Sequence, residues 1–194
     1  NIYFLEGRRE AAREQFRHAL RLSVDSEFAL NRLLEACANI EERRAELTFV
    51  LEEMKRQVVY GDSLLIYQRQ ARDTVEPETL AAFLDEACGV RPDLWQAWVA
   101  CLRQHIELQQ YDRARAVCDE ALARFPLLPR LHVESAEIAR VTGDRAAERA
   151  ALHESGDVCP ELPGGADARG HLDRHLRRVL QCELSLLGGL PGLL

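Results

Sequence analysis

An all-α fold of antiparallel helix pairs stacked as a solenoid is the expectation, and three observations carry it. The chain is a succession of segments with apolar residues at helical spacing. The breaks between them are only a few residues long and carry Asp, Gly or Pro, the residues that stop and start helices. The whole pattern recurs every 34 residues.

The elements follow in order. Residues 8–23, RREAAREQFRHALRLS, place Ala12, Phe16, Ala19, Leu20 and Leu22 on one stripe. Residues 27–38, 42–57, 63–72, 78–88, 95–108, 112–124, 130–141 and 145–154 read the same way. Ser63 is placed to cap the helix it opens, and Pro77 suits a first helical turn after Glu76. No Gly-rich phosphate loop interrupts the series.

Val24, Val58, Pro92, Pro126 and Pro160 set the 34-residue register. With it fixed, other columns align. Phe16, Val50, Leu84, Cys118 and Leu152 are apolar throughout. Ala19, Ala87, Ala121 and Ser155 are small, with Glu53 as the exception. Leu30, Leu64, Trp98 and His132 form a third column. Leu33, Tyr67, Cys101 and Ser135 form a fourth, and Cys37, Ala71, His105 and Ala139 a fifth. Small residues let two helices approach and large ones fill the space beside them. One helix pair cannot bury its apolar face alone, so pairs stack.

These residues resemble the tetratricopeptide (TPR) repeat family. Trp98 matches the large wedge of a first helix, and Tyr111, Ala114, Ala121, Leu122 and Pro126 match the second helix and its terminating proline. Gly7, Ala12, Phe16, Ala19 and Leu20 look like the second helix of a repeat whose first is cut short, and Gly143 matches a turn glycine. The pair Trp95/Trp98 also resembles half-a-TPR (HAT) repeats. Glu46 and Glu148 depart from the column of Ala12, Leu80 and Ala114. Ala45 and Ala147 stand one residue earlier, which points to shorter turns there. The resemblance implies a right-handed superhelical solenoid over residues 1–160, about four repeats. Residues 161–170 read as a linker, and residues 171–194 as a capping helix with an apolar tail that docks on the array or on a partner.

Composition narrows the function classes. The 194 residues carry a net charge of -7, against the dense basic face that DNA binding needs, and RNA is not favoured either. No apolar run reaches the ~20 residues of a membrane span. The six cysteines form no C-x-x-C pair and lie in apolar helical patterns, which points to reduced thiols and a cytoplasmic, or else nuclear, setting. His171 and His175 share a helix face at i,i+4, yet no third ligand stands at a recognised spacing. His105 and His132 read as core histidines. No catalytic constellation stands out, so no enzyme, no metal and no cofactor is expected.

The resemblance implies that first helices line a concave, partner-binding face. It places Asn31 there, with Phe28 and Glu35, then Arg69 and Arg72 beside Leu65. Gln96, Val99, Arg103 and Ile106 follow, then Arg130 and Arg140 beside Val133 and Glu137. Its arginines either pair with neighbouring carboxylates or form a positive groove for an acidic peptide or protein partner. The expected role is a non-catalytic interaction scaffold. A HAT-like scaffold in an RNA-processing complex and a recruiting domain of a larger enzyme are the alternatives. Homo-oligomerisation through solenoid ends stays open.

Overall fold

The computed structural model describes residues 9–58 and 61–158, and every element among them is helical. They are α1 (Arg9–Leu22), α2 (Glu27–Glu35), α3 (Ile40–Gln57), α4 (Asp62–Ala71), α5 (Pro77–Val90), α6 (Trp95–Glu107), α7 (Tyr111–Arg124), α8 (Pro129–Thr142) and α9 (Arg145–Val158). The fold class is an all-α, TPR-like solenoid of helix pairs. The chain divides into two compact units, Asn1–Val117 and Cys118–Leu194, with the boundary inside α7. In the first unit α2 packs on α1, α3 and α4, and α6 packs on α4 and α5. In the second, α8 packs on α9. The expected linker, capping helix and apolar tail lie outside the described residues, as do His171 and His175.

The helix ends have local causes. Asn39 caps α3, its side chain accepting from Glu42 N at 2.8 Å, while Glu42 reaches back to Ala38 N at 2.8 Å. Pro77 opens α5 in the first turn, as its fixed φ favours. At α4 the sequence expectation fails. Gly61 is the N-cap position, and Ser63 lies inside the helix. The capping acceptor comes from the preceding repeat, where Asp25 Oδ1 accepts from Gly61 N at 2.8 Å, Ser63 N at 3.1 Å and Ser63 Oγ at 2.8 Å. A Cβ on Gly61 would stand 2.9 Å from Asp25 Oδ2, so a side chain there would push the carboxylate off these bonds.

The turns that close α6 and α8 are equivalent. Gly143 takes a left-handed conformation (φ 80°), and Asp144 N bonds back to Ala139 O at 2.8 Å. Thirty-four residues earlier Gln109 does the same without a glycine (φ 58°), and Gln110 N bonds to His105 O at 2.8 Å.

The core follows the columns. Leu30, Leu33, Leu64, Tyr67, Leu84, Cys101 and Ala121 are essentially without exposed surface. Trp98 is 5% exposed, and its Nε1–H donates to Pro92 O at 3.1 Å. His132, next in that column, makes the equivalent bond from Nε2 to Pro126 O at 3.0 Å. A carbonyl only accepts, so Nε2 carries the proton. A ring N–H thus bonds the terminating proline's carbonyl in both repeats. Trp95 is half-buried at the start of α6.

Neither Glu46 nor Glu148 is shifted out of the register by its turn. Glu46 is fully buried in the register position, and Ala45 is exposed. Arg17 makes this possible with a two-pronged bond, Nε to Oε2 at 2.8 Å and an Nη to Oε1 at 2.6 Å. Arg13 adds charge at 3.8 Å. A buried carboxylate is tolerated when paired and hydrogen-bonded. Glu148 is buried in the matching position of α9. Glu53, the exception in the small column, accepts from Arg56 Nε at 3.0 Å and Gln57 Nε2 at 2.9 Å. Gln57 also donates to Leu20 O at 2.7 Å and accepts from Val24 N at 2.8 Å, tying α3 to the end of α1.

Candidate functional site

In the first unit α2, α4 and α6 are neighbours in sequence of packing, and side chains one repeat apart meet across them. Gln70 Nε2 approaches Asn31 Oδ1 at 3.5 Å, Gln96 Nε2 donates to Asp62 Oδ1 at 3.2 Å, and Gln68 Nε2 donates to Gln104 Oε1 at 3.2 Å. The Gln68–Gln104 bond is buried, so it holds α4 and α6 in register from within.

The outer side chains of this helix layer carry the expected binding residues. Arg69 is exposed on α4, with no ion-pair partner among the described residues. Arg72, just past the end of α4, is exposed and bonds Glu107 Oε1 at 3.2 Å. Arg103 and Ile106 on α6 are half-buried, as is Gln96. Asn31 is half-buried on α2, where Phe28 stands exposed with the Arg32 guanidinium 5.5 Å from its ring centre. Val99, expected on this face, is fully buried and offers no surface to a ligand. In the second unit Arg130 is also buried, its Nε donating to Glu134 Oε1 at 2.8 Å, and Arg140 is bonded to Glu137. The arginines of α8 are therefore already engaged by carboxylates one turn away.

A second group, whose Cys88, Cys101 and His105 read from the sequence as core, converges between α5 and α6. Asp85 Oδ1 accepts from Cys101 Sγ at 3.2 Å and lies 3.3 Å from His105 Nε2. Arg113 donates to the same oxygen at 3.3 Å, and His105 Nδ1 stands 2.8 Å from Gln110 Oε1. Cys88, also buried, hydrogen-bonds Cys101. That bond, with burial, raises the Cys101 thiol well above its ordinary range. Bonds to Cys101, Gln110 and Asp85 push the His105 imidazole up to about 9, against its burial. Burial pushes the Asp85 carboxyl up, but the bonds from Cys101 and His105 outweigh it and hold it below the ordinary value. The sequence signal was Cys101 and His105 at i,i+4 with Asp85 and Cys88 at i,i+3 on the preceding helix. Their place in apolar columns hid it.

Known proteins place the fold. Residues 92–138 match the tetratricopeptide repeat family, the stretch that contains α6, α7 and the start of α8. The crystal structure of YrrB, a TPR protein with an unusual peptide-binding site, is similar at a TM-score of 0.54 and 13% identity, over 92% of this chain and 88% of that one. The crystal structure of MamA is similar at a TM-score of 0.54 and 10% identity, over 82% of this chain and 93% of that one. No curated protein matches the chain by sequence. The fold is thus that of TPR proteins, and one stretch of the chain, residues 92–138, matches the repeat itself. No helix among the described residues is long and apolar enough to cross a membrane.

Proposed function

We propose that the chain is an interaction scaffold that captures an acidic peptide segment of a protein partner across α4 and α6. The observation that carries this reading is the repeat-spaced pair Arg69 and Arg103, with Arg72 beside them. Arg69 is exposed without a carboxylate on it among the described residues. Arg72 is held by exposed pairs with Glu107 and Asp73, and such pairs contribute ~0–1 kcal/mol each, so a ligand carboxylate displaces them at little cost. Arginine forks match carboxylates in a two-pronged geometry, which favours Asp- and Glu-bearing ligands. Gln96 and Ile106 add a hydrogen-bonding and an apolar contact on the same helix, and Asn31 extends the face on α2. YrrB, which shares this fold, is described as having a peptide-binding site, and that supports a peptide as the ligand class.

Charge reversal at Arg69 and Arg103 tests the proposal. Binding of an acidic peptide array to R69E/R103E is expected to fall by about tenfold or more per arginine, the ~1.5–3 kcal/mol of a bond to a charged group. An unchanged array profile, with the helical circular dichroism intact, would reject it.

A further inference from the structure

We propose that Asp85, Cys101 and His105 form a metal site for a zinc-like divalent cation, held between α5 and α6. Their donor atoms, one carboxylate oxygen, one thiol sulfur and one imidazole nitrogen, all lie within 4.8 Å of one another. Tetrahedral zinc, with bonds of about 2.0–2.3 Å, sets its ligand atoms about 3.3–3.8 Å apart. The Asp85–Cys101 and Asp85–His105 separations, 3.2 and 3.3 Å, are already close to that span.

The hydrogen bonds around the histidine point the same way. Gln110 Oε1 stands 2.8 Å from His105 Nδ1 and, if the amide oxygen faces the ring, takes the Nδ1 proton. In the neutral ring Nε2 then presents a lone pair directly at Asp85 Oδ1. A proton on Nε2 makes this 3.3 Å contact a bond to Asp85 Oδ1, and a zinc ion takes that proton's place with three protein ligands. An outer amide or carboxylate holding the far nitrogen is the usual support of a metal-bound histidine. The three protein donors leave the fourth tetrahedral position to water.

The repeat supplies an independent comparison. Thirty-four residues earlier the four positions hold Leu51, Met54, Tyr67 and Ala71. Thirty-four later they hold Asp119, Leu122, Ser135 and Ala139. A repeat core needs no thiol or imidazole at these places, yet both thiols, the imidazole and a facing carboxylate fall together in one repeat. Mixed sulfur, nitrogen and oxygen donors select zinc over magnesium or calcium, which prefer all-oxygen sets. Binding removes the thiol proton of Cys101 and the Nε2 proton of His105, so the complex forms with proton release. Arg113, mostly in water and 3.3 Å from Asp85, opposes the incoming cation.

The full chain, stripped with a chelator and dialysed, is titrated with Zn²⁺ and separately with Co²⁺. One equivalent per chain is expected, and the cobalt complex is expected to show a thiolate-to-cobalt band with tetrahedral visible absorption. C101S is expected to lose that band. Serine occupies the same position as Ser135 in the next repeat, so this variant suits the fold. Q110A is expected to weaken affinity roughly 10–100-fold with unchanged circular dichroism, and R113Q to strengthen it. H171A/H175A is expected to leave it unaltered. Absence of a thiolate–cobalt band in the native chain would overturn the site. So would a band that survives in C101S, or binding that is lost in H171A/H175A and kept in H105Q.

Discussion

Trp98 shows how a residue earns its place in a repeat. It is a large ring in the column of Leu30, Leu64 and His132, and its indole N–H has an acceptor in Pro92 O. W98F keeps most of the ring and is expected to cost about 1 kcal/mol, the value of a net hydrogen bond. W98A opens a cavity and is expected to cost about 3–5 kcal/mol. Urea unfolding of the two variants separates the terms. Glu46 is the opposite case, a charge where the repeat wants a small residue. E46A leaves Arg13 and Arg17 without their shared carboxylate and is expected to cost ~3 kcal/mol, the low end for a broken buried pair because Arg17 keeps some water contact. A thermal melt that matches the native chain would contradict that. At this scale the sequence misled in a consistent way. Glu46 and Glu148 looked like register shifts because a lone carboxylate at a core position is costly. The partner that makes Glu46 tolerable, Arg17, is 29 residues away and invisible to a pattern read along one helix.

Helices were legible because their signals are local. Apolar spacing and the Pro, Gly and Asp of the breaks placed all the described helices within a few residues of their observed ends. Ser63 failed as a cap because the better acceptor, Asp25, comes from the neighbouring repeat. D25A removes three hydrogen bonds from the start of α4 and is expected to cost ~1–2 kcal/mol. Faster amide exchange confined to the first turn of α4 is the accompanying signature, and exchange unchanged there would refute the capping role. The turn after α6 offers a gain. Gln109 holds a left-handed conformation that costs a side chain roughly 1–2 kcal/mol, while glycine there loses about 0.5–1 kcal/mol in chain entropy. Q109G is therefore expected to raise the urea midpoint by a net stabilisation of about 0.5–1 kcal/mol. A lowered midpoint would show that the glutamine side chain makes a compensating contact.

For the whole molecule, the repeat architecture was readable and the binding chemistry only half so. A 34-residue period fixes which helices come first in each pair, and so which residues share a face. It does not say which arginines are spoken for. Arg130 and Arg69 belong to the same expected face, yet one is buried against Glu134 and the other is exposed. The Asp85–Cys101–His105 group was missed for a related reason: a column read as apolar says nothing of the polar atoms its members turn toward each other.

The central claim, that repeat-spaced arginines on α4 and α6 read acidic ligands, is tested most directly by a charge swap. Affinities of the native chain and of R69E/R103E are measured by titration calorimetry against one acidic peptide and its Lys-substituted counterpart. The predicted result is a crossing preference: the native chain binds the acidic peptide, and the variant loses it and gains the basic one. Equal affinities for both peptides in both proteins would contradict the claim.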